Sequence, residues 1–470
     1  MQITLPDPLE LENTDEILSF TAGPADLALW PLIRSAVLAR LTRALRTKLE
    51  GTSPCGFDAV HMPQSRWLTD LYKLRHVSTC PRNKDILYLS NKSPRQILNG
   101  RPYNHWEQPT AELLGERTLF TSTVQAKHFF NIKSNISFYD ASALYKTINR
   151  IARRFPKNTT HNATSKLRSF LSERIKMLYG KLIHPSEFYE ILEKIPHRLY
   201  VASIEHYMAK LAIQKSSIRL IIISTAAYGS HIGFQTAAFE EGIPTAELQH
   251  GEISPTHYAY NIAPAIISKA NMQRYMPQYI LSYGNFWHKN IRTTSTLRAI
   301  GNPFFSMMFP HSAQQHDKGI LFALSDDYES FKHLISKTCK AFPKNEIIVR
   351  PHPHCRTAFK RSSIAQLDGY TLDTNPNIYD TLRRTSVVIS TGSTVLFEAA
   401  ALGQRCFLVP SKMLNTHGIW EIFETITSPD DLVSKLSRHE CGTINDTDKE
   451  SIFSKNWEKN YTEFVSQACL

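Results

Sequence analysis

Long apolar segments are missing from this 470-residue sequence, which limits where the protein can reside. No stretch approaches 18 consecutive apolar residues, and the most apolar candidate, 218–224 (IRLIIIS), has the length of one buried strand. The opening segment, MQITLPDPLELENTDE, is acidic and lacks the basic and then apolar order of a signal peptide. We therefore expect no membrane span and a cytoplasmic location.

Cysteine is scarce and scattered. The seven cysteines are odd in number and include no Cys-x-x-Cys pair. This pattern argues against a disulfide framework and a zinc site, and reduced thiols fit a cytosolic enzyme. Internal repeats and low-complexity tracts are missing as well. The remaining interpretation is an ordinary globular chain, whose length favours two domains and allows three. We predict no bound metal and no cofactor.

Positive charge is in excess, because 54 Lys and Arg residues stand against 42 Asp and Glu residues, a formal net charge of +12. Such a surface suits anionic lipid headgroups, phosphorylated substrates or nucleic acid. The basic residues are dispersed, with short clusters such as 149–157 (NRIARRFPK), and no RNA- or DNA-binding signature accompanies them. We predict no nucleic-acid partner and leave open a peripheral contact with the inner face of the cytoplasmic membrane.

Short apolar runs alternate with loops rich in Gly, Ser or Asn and with amphipathic segments. This alternation indicates parallel sheets covered by helices on both faces. In the first half, the predicted strands are 16–21, 85–90, 218–224, 245–249 and 279–283, and the predicted helices are 25–48 and 233–241. Further helical stretches at 140–155, 164–182 and 185–214 predict a helical insertion around 140–215.

The pattern resets at 299–303 (AIGNP), and the following 309–318 (FPHSAQQHDK) is polar and helix-breaking. We place a domain boundary there, between an N-terminal Rossmann-like domain, 1–303, and a C-terminal one, 304–448. In the second domain, the predicted strands are 319–324, 346–350, 387–390 and 405–409, and the predicted helices are 328–341 and 394–403. One more helix, within 449–470, closes the chain.

The segment 387–410 (VVISTGSTVLFEAAALGQRCFLVP) combines a buried strand, a turn of small residues and an immediate helix. A helix start presents unpaired N–H groups and a positive dipole end, which suit a phosphate or diphosphate. Glu398 lies one turn into the helix, on the side of Thr394, where a carboxylate can accept both hydroxyls of a ribose. Helix capping alone is the other interpretation of this turn. The turn consists of Ser390, Thr391, Gly392, Ser393 and Thr394.

This segment resembles the donor-binding helix of GT-B glycosyltransferases. In that family a Gly/Ser-rich turn is followed by a Glu five residues before a Gly, as Glu398 and Gly403 are here. The resemblance implies an α/β fold of two Rossmann-like domains, with a metal-independent active site in the cleft between them. It also implies that the helix in 449–470 crosses over and packs back on the N-terminal domain.

A second motif, 347–354 (IIVRPHPH), puts a cation and two imidazoles at a strand end. Proline fixes φ and disfavours helix before it, so His352 should be extended at the strand's carboxyl end, where ligands bind in open α/β sheets. The motif resembles the His-Pro motif of bacterial sialyltransferases, Kdo transferases and CDP-glycerol glycerophosphotransferases. In those families the His contacts the nucleotide phosphate, which implies donor binding by Arg350, His352 and Pro353.

A third motif, 244–257 (PTAELQHGEISPTH), ends a short strand of the first domain. Gly251 permits a sharp turn after His250 and leaves the imidazole and Glu252 projecting from the strand end. An acceptor hydroxyl must lose its proton as it attacks the anomeric carbon, so this side of the cleft needs a base. We predict His250 as that base. Glu252 remains the alternative, because the sialyltransferases carry an acidic pair near this glycine whereas the glycerophosphotransferases carry His-Gly.

Position alone assigns the remaining candidates. Gln249, Gly251, Tyr228 and Ser230 follow buried strands of the first domain and are predicted to line the acceptor cleft. Ser325 ends the first strand of the second domain, where GT-B proteins often have a phosphate-contacting loop. The two Asp residues after it are interpreted as a helix cap rather than as metal ligands.

The leading hypothesis is a glycosyltransferase that moves a sugar from a nucleotide-activated donor to a surface glycan of lipopolysaccharide or capsule. The His-Pro motif favours a CMP-sugar such as Kdo or sialic acid, and a glycan or lipid-linked glycan acceptor fits the positive charge. His-Gly keeps a CDP-polyol phosphotransferase of teichoic-acid type open. A non-hydrolysing UDP-GlcNAc 2-epimerase is disfavoured by the helical insertion. A non-catalytic glycan-binding scaffold is disfavoured by the joint presence of Glu398, His352 and His250.

Overall fold

Two parallel sheets, each flanked by helices, organise the chain. The computed structural model describes residues 7–50, 84–92, 96–98, 100–123, 135–155, 160–289, 291–309, 319–324, 328–410, 418–438 and 442–470. A seven-stranded sheet lies in the first half of the sequence and a six-stranded sheet in the second. The predicted α/β class with two Rossmann-like sheets is confirmed.

Seventeen strands lie in the described part of the chain. Two short antiparallel pairs stand apart from the large sheets, β1 (Thr21–Ala22) with β2 (Leu27–Ala28) and β4 (Gln96–Leu98) with β5 (Arg101–Tyr103). The seven-stranded sheet contains β3 (Ile86–Ser90), β6 (Thr118–Ser122), β7 (Ser137–Asp140), β8 (Leu220–Ile223), β9 (Thr245–Leu248), β10 (Tyr279–Ser282) and β11 (Thr296–Ala299). The six-stranded sheet contains β12 (Gly319–Leu324), β13 (Ile347–Pro351), β14 (Thr371–Leu372), β15 (Thr385–Ser390), β16 (Arg405–Leu408) and β17 (Glu424–Thr425).

The described α-helices fall into two groups, those before β12 and those after it. The first group is α1 (Leu29–Glu50), α2 (Gln108–Leu114), α3 (Ser142–Ala152), α4 (His161–Tyr179), α5 (Tyr189–Leu192), α6 (Ile195–Gln214), α7 (Ile232–Glu240), α8 (Pro264–Ile267), α9 (Ala270–Gln273) and α10 (Pro303–Met308). The second group is α11 (Lys332–Ala341), α12 (Arg356–Phe359), α13 (Ile378–Leu382), α14 (Val395–Ala401), α15 (Pro429–Ser437), α16 (Asp446–Ile452) and α17 (Trp457–Ala468). Helices α3 to α6 form the predicted insertion, between β7 and β8.

The two sheets share one strand order, apart from the additional edge strand β11 of the seven-stranded sheet. The first runs β11-β10-β9-β8-β3-β6-β7 and the second β14-β13-β12-β15-β16-β17, with parallel neighbours throughout. In each sheet the chain moves outward from the first strand and then returns to that strand's other side. The order therefore reverses between β3 and β8 and between β12 and β15. Folds of this kind bind ligands outside the carboxyl ends of the strands at such points.

The strands between two helical layers are apolar at successive positions. All four residues of β8 (LIII) are buried, as are all six of β12 (GILFAL). Both faces of such a strand pack against helices, so polar residues are excluded from either face. This two-sided burial explains why the apolar runs at 218–224 and 319–324 predicted strands correctly.

The predicted strand at 16–21 is wrong. Asp15–Leu18 forms a turn of 3₁₀-helix, and only Thr21–Ala22 pairs as a strand. Ile17 and Leu18 are adjacent and both buried, and they belong to the same apolar core as α1. A strand would direct adjacent side chains to opposite faces, whereas a tight helical turn lets two neighbours reach one core.

The end of the chain crosses back to the seven-stranded sheet. The hydroxyls of Tyr461 on α17 and Tyr88 on β3 are 2.5 Å apart, and the Phe464 ring packs edge-on against Tyr279 at 5.2 Å between centroids. The helix predicted within 449–470 is interrupted, since α16 and α17 are separate helices. Between them, the Ser454 N–H donates to the Tyr283 carbonyl over 2.7 Å. The C-terminal helix thus crosses back to the N-terminal sheet, as predicted.

Close backbone approach fixes that crossing. A Cβ on Gly284 would lie 2.1 Å from the Ser451 carbonyl oxygen. Gly301 has φ +102° and a Cβ there would lie 2.6 Å from the Ser454 carbonyl oxygen. Only glycine fits either position, and at Gly301 the left-handed backbone requires it as well.

Across the residues that the structure covers, no helix combines the length and the apolar character that crossing a bilayer demands. In the same residues, no group of three or more His, Cys, Asp or Glu side chains is arranged to hold a metal ion.

Candidate active site

A cavity of about 620 Å³ lies where the carboxyl ends of the two sheets face each other. One wall comes from residues at the ends of β9, β10 and β11, and the opposite wall from the ends of β12 and β13 and from α14. Polar side chains from both walls reach it, and the lining includes His250, Tyr283, Arg350, His352 and Glu398.

A buried carboxylate supports His250 on the N-terminal wall. Glu247, on β9, is fully buried, and its Oε1 lies 3.5 Å from Nδ1 of His250. Glu247 Oε1 also accepts from the Tyr260 hydroxyl over 2.9 Å, and its Oε2 accepts from the Ala227 N–H over 2.6 Å. These bonds fix the carboxylate, so it can orient the imidazole. A base held by a third group in this way is the arrangement used to activate nucleophiles.

Burial opposes charge on both members of the pair. It lowers the pKa of His250 to about 3, and the positive charge of Lys92 and of His257 act in the same direction. It raises the pKa of Glu247 to about 7, although the hydrogen bonds from Ala227 and Tyr260 partly offset the effect. His250 is therefore neutral near pH 7, and it can take up a proton there only with the ionised Glu247 carboxylate beside it to stabilise the imidazolium.

A second buried carboxylate lies deeper in the same wall. Glu107 accepts hydrogen bonds from Ser90, from Ser224 and, over 2.9 Å, from Asn104 Nδ2. Burial raises the pKa of Glu107, and the Lys92 charge is among the influences that lower it. The Lys92 ammonium lies 5.3 Å from the centre of the Trp106 ring, a side chain that lines the cavity. Lys92 thus contributes positive charge close to both carboxylates.

On the C-terminal wall, Glu398 sits in the cavity lining on α14. The Tyr379 hydroxyl donates to its Oε1 over 2.9 Å. Burial raises the pKa of Glu398 to about 7, against the lowering effect of that hydrogen bond. Burial and the nearby Glu398 charge raise the pKa of Tyr283, on the opposite wall. Glu398 therefore faces residues of both halves of the molecule.

The His-Pro segment also lies in the lining. The His352 N–H donates to the Leu324 carbonyl over 2.9 Å, which fixes the segment at the ends of β12 and β13, while the imidazole is exposed. Arg350 is buried and its Nη1 donates to Asp373 Oδ2 over 2.6 Å. Burial tends to raise the pKa of Asp373, but hydrogen bonds from Thr381, Asn375 and Arg350 hold it below its usual range. Arg350 and Pro353 line the cavity, but the Arg350 charge is already paired.

Among the proteins compared with this chain, only solved structures resemble it. No family model matches it, and no curated protein matches it in sequence. Among solved structures, a UDP-GlcNAc 2-epimerase from Neisseria meningitidis bound to UDP-GlcNAc has 11% identity and a TM-score of 0.45, covering 82% of this chain and 100% of that one. CalG4, the calicheamicin glycosyltransferase, has 10% identity and a TM-score of 0.42, covering 82% and 98%. Similarity at this level assigns no activity to the chain.

The predicted donor turn is only partly at the cavity. Ser393, Thr394 and Glu398 are in the lining, whereas Ser390, Thr391 and Gly392 are not. The Ser390 hydroxyl donates to the Ala323 carbonyl over 2.7 Å and so ties β15 to β12. Helix α14 begins at Val395, directly after Ser393 and Thr394, the two turn residues that reach the cavity. Ser325 lies outside the described residues.

The predicted acceptor residues separate into two groups. Gln249, His250 and Gly251 line the cavity. The Gln249 side chain connects two loops, because its Nε2 donates to the Gly251 carbonyl over 2.7 Å and its Oε1 accepts from the Tyr283 N–H over 2.7 Å. Tyr228 and Ser230 line a different depression. Neither Glu252 nor Glu247 is in the cavity lining, but Glu247 Oε1 lies 3.5 Å from His250 Nδ1.

Sequence reasoning missed Glu247, Glu107 and Lys92. A carboxylate within a buried strand was the available signal for Glu247, because buried Glu is rare unless it is paired or functional. No comparable local signal marks Glu107 or Lys92, which reach the site through tertiary structure. Together the residues provide a neutral base on one wall and, on the other, a carboxyl group, an imidazole and a paired guanidinium.

Proposed function

We propose that this chain transfers a glycosyl group from a nucleotide-activated donor to a hydroxyl acceptor within the cavity between the two sheets. The observation that carries the proposal is that His250, with the Glu247 carboxylate 3.5 Å behind it, borders the same cavity as Glu398, His352 and Arg350. A base must face the acceptor hydroxyl, and hydrogen-bond donors must face the departing phosphate. The two walls divide these tasks.

In this mechanism His250 takes the proton from the hydroxyl of the acceptor substrate, while Glu247 orients the imidazole and stabilises the imidazolium that forms. His352 donates to a phosphate oxygen as negative charge develops on the leaving nucleotide. The Glu398 carboxylate accepts hydrogen bonds from the ribose hydroxyls. The resemblance of the His-Pro motif supports a CMP-sugar such as Kdo or sialic acid as donor and a lipopolysaccharide or capsule glycan as acceptor.

A nucleotide panel tests the proposal. A ligand that binds only the folded state stabilises it by about 2.7 kcal/mol at 100 times its Kd. We expect one of CMP, CDP, UDP and GDP to raise Tm clearly above the others, with CMP the first choice. No stabilisation by any of the four would contradict the proposed transferase and favour a non-catalytic scaffold.

Removing the Glu398 carboxylate should weaken nucleotide binding. A hydrogen bond to a charged group contributes about 1.5–3 kcal/mol, so Glu398→Ala should raise the nucleotide Kd roughly 10- to 100-fold. The wild-type affinity should increase as pH rises through about 7, because hydroxyls bind the ionised carboxylate and the pKa of Glu398 is about 7. Calorimetry across pH measures both effects. Glu458→Ala, at an exposed position on α17, is the matched control; an unchanged Kd in Glu398→Ala would remove Glu398 from the donor site.

Replacing His352 by alanine should impair donor use more than acceptor use. The lost hydrogen bond acts on the leaving group, so we expect kcat/KM for the donor to fall about 10²-fold. His333→Ala, at an exposed position on α11, should leave both substrates unaffected. Steady-state kinetics with each substrate varied in turn would refute the assignment if only the acceptor KM changed.

The pKa of Glu398 near 7 also suits a proton-transfer role, which makes an isomerase the second candidate. A sugar-nucleotide epimerase needs no acceptor. Incubation with UDP-GlcNAc alone separates the two functions, because epimerised product without an acceptor supports the isomerase and excludes our proposed reaction as the main activity.

A further inference from the structure

The seven-stranded sheet has its own ligand-sized depression at the point where its strand order reverses. We call this depression the switch-point crevice; it has a volume of about 460 Å³ and is lined by Asn91, Thr123, His197, Arg198, Tyr228 and Ser230, among others. Asn91 follows β3 and the segment with Tyr228 and Ser230 follows β8. These are the two strands between which the chain changes direction, where ligands bind in such sheets.

The loop after β8 has an unusual backbone. Thr225 and His231 both have φ of +51°, and Gly229 between them has φ of +83°. Left-handed non-glycine residues cost free energy and tend to occur at ligand sites. Asn91 Nδ2 holds this loop by donating to the Thr225 and Ser230 hydroxyl oxygens, both over 3.0 Å. The crevice edge is therefore a fixed polar frame.

Arg198 brings a positive charge to one side of the crevice. Arg198 Nη1 donates to the backbone carbonyl of Leu32 over 2.8 Å, a neutral partner. Burial lowers the pKa of the Arg198 guanidinium, as expected of a cation removed from water. Burial also lowers the pKa of His197, and the charges of Arg153 and Arg198 lower it further. His197 Nδ1 is buried without a hydrogen-bond partner, while Nε2 lies 3.1 Å from Asn149 Oδ1.

The carboxylate in the crevice lining is already paired. Glu205 Oε1 lies 3.1 Å from His231 Nδ1, and both side chains are buried. The Tyr145 hydroxyl is 2.8 Å from the same ring nitrogen. Glu205 thus has His231 as its partner, whereas the Arg198 guanidinium donates to a neutral acceptor, the Leu32 carbonyl.

We propose that the switch-point crevice binds the anionic group, a phosphate or a carboxylate, of the acceptor substrate. The inference rests on the proposed function, since it assigns the crevice to the acceptor. Tyr228 connects the two sites: it lines the crevice, and its ring centroid is 5.5 Å from that of His250. An acceptor anchored by its charge at Arg198 would extend past Tyr228 towards the base.

Binding of simple anions at His197 is the direct test. An anion beside His197 stabilises the imidazolium, so inorganic phosphate should raise the His197 pKa, measured by NMR titration of its ring C–H resonance. The His197→Gln variant identifies that resonance among the 19 histidines. Arg198→Gln should weaken the apparent phosphate affinity about tenfold. Acetate in place of phosphate distinguishes a site for any carboxylate from one that prefers phosphate.

The matched control is Arg384→Gln, which removes the same charge from an exposed ion pair with Glu346 and should leave phosphate affinity unchanged. Nucleotide affinity should be unchanged in Arg198→Gln, and the nucleotide should bind without displacing phosphate from His197. The crevice proposal fails if neither anion moves the His197 pKa, if Arg198→Gln binds phosphate as the wild type does, or if nucleotide displaces the phosphate. The transferase proposal fails on a different outcome, namely that the wild-type protein binds no nucleotide.

Discussion

Replacing His250 by alanine should lower kcat by about 10²–10⁴-fold while the nucleotide Kd stays at its wild-type value. The imidazole is neutral near pH 7 because burial lowers its pKa to about 3, and it belongs to the N-terminal wall, away from the Glu398 side of the cavity. Loss of the base therefore removes proton transfer but no donor contact. Steady-state kinetics with calorimetric nucleotide binding on the same preparation measures the two quantities.

Added imidazole provides a further check on His250→Ala. A small base that diffuses into the vacated space should restore part of the lost rate, whereas a structural defect would not respond. His333→Ala, at an exposed position on α11, is the matched control. Wild-type turnover in His250→Ala would end the assignment of this residue as the base.

Changing Glu247 to glutamine should lower kcat by about 10²–10⁴-fold, because a positioned imidazole that loses its carboxylate adopts the wrong tautomer and lacks a counter-charge. The wild-type rate should rise with pH through about 7, the pKa of Glu247. Below that pH the protonated carboxyl no longer stabilises the imidazolium, and above it the ionised form does. The pH–rate profile measures this limb, which Glu247→Gln should lack.

The Glu252→Gln variant is the control for Glu247, because Glu252 follows the same strand but Glu247 is the carboxylate with an oxygen 3.5 Å from His250 Nδ1. It should retain both the rate and the limb near pH 7. If instead Glu252→Gln loses the limb and Glu247→Gln keeps it, Glu252 is the carboxylate that acts with His250, and our choice between the two is wrong.

Most of the sheet architecture could be predicted from local patterns. Parallel strands between two helical layers are apolar at every position, so 218–224 and 319–324 are recognisable without tertiary information. The prediction of a strand at 16–21 was wrong because Ile17 and Leu18 lie in a 3₁₀ turn and both pack into the core that contains α1. That core is not visible in the local sequence. The β4–β5 hairpin was not predicted because its three-residue strands pair only with each other.

The site was predictable where a side chain follows directly from a strand end. His250, His352 and Glu398 line the cavity because β9, β13 and the helix after β15 direct them there. The pairing of His250 with Glu247 depends on Tyr260 and Ala227, which come from other loops. Likewise, the Ser390 hydroxyl bonds to Ala323 only because β15 lies beside β12. Contacts between residues this far apart in the chain cannot be predicted from the local sequence.

The return of α17 to the seven-stranded sheet has a consequence for how the protein is made. Tyr461, Phe464 and Val465 belong to the same apolar core as Ile86 and Tyr88. During translation, one face of the first sheet therefore remains without its α17 cover until residues 457–468 have emerged from the ribosome, whereas the last described strand of the second sheet ends at Thr425. Domains usually fold in order of synthesis. Here the half made first is completed last, and chaperones have the longest access to the β3 side of the nascent chain.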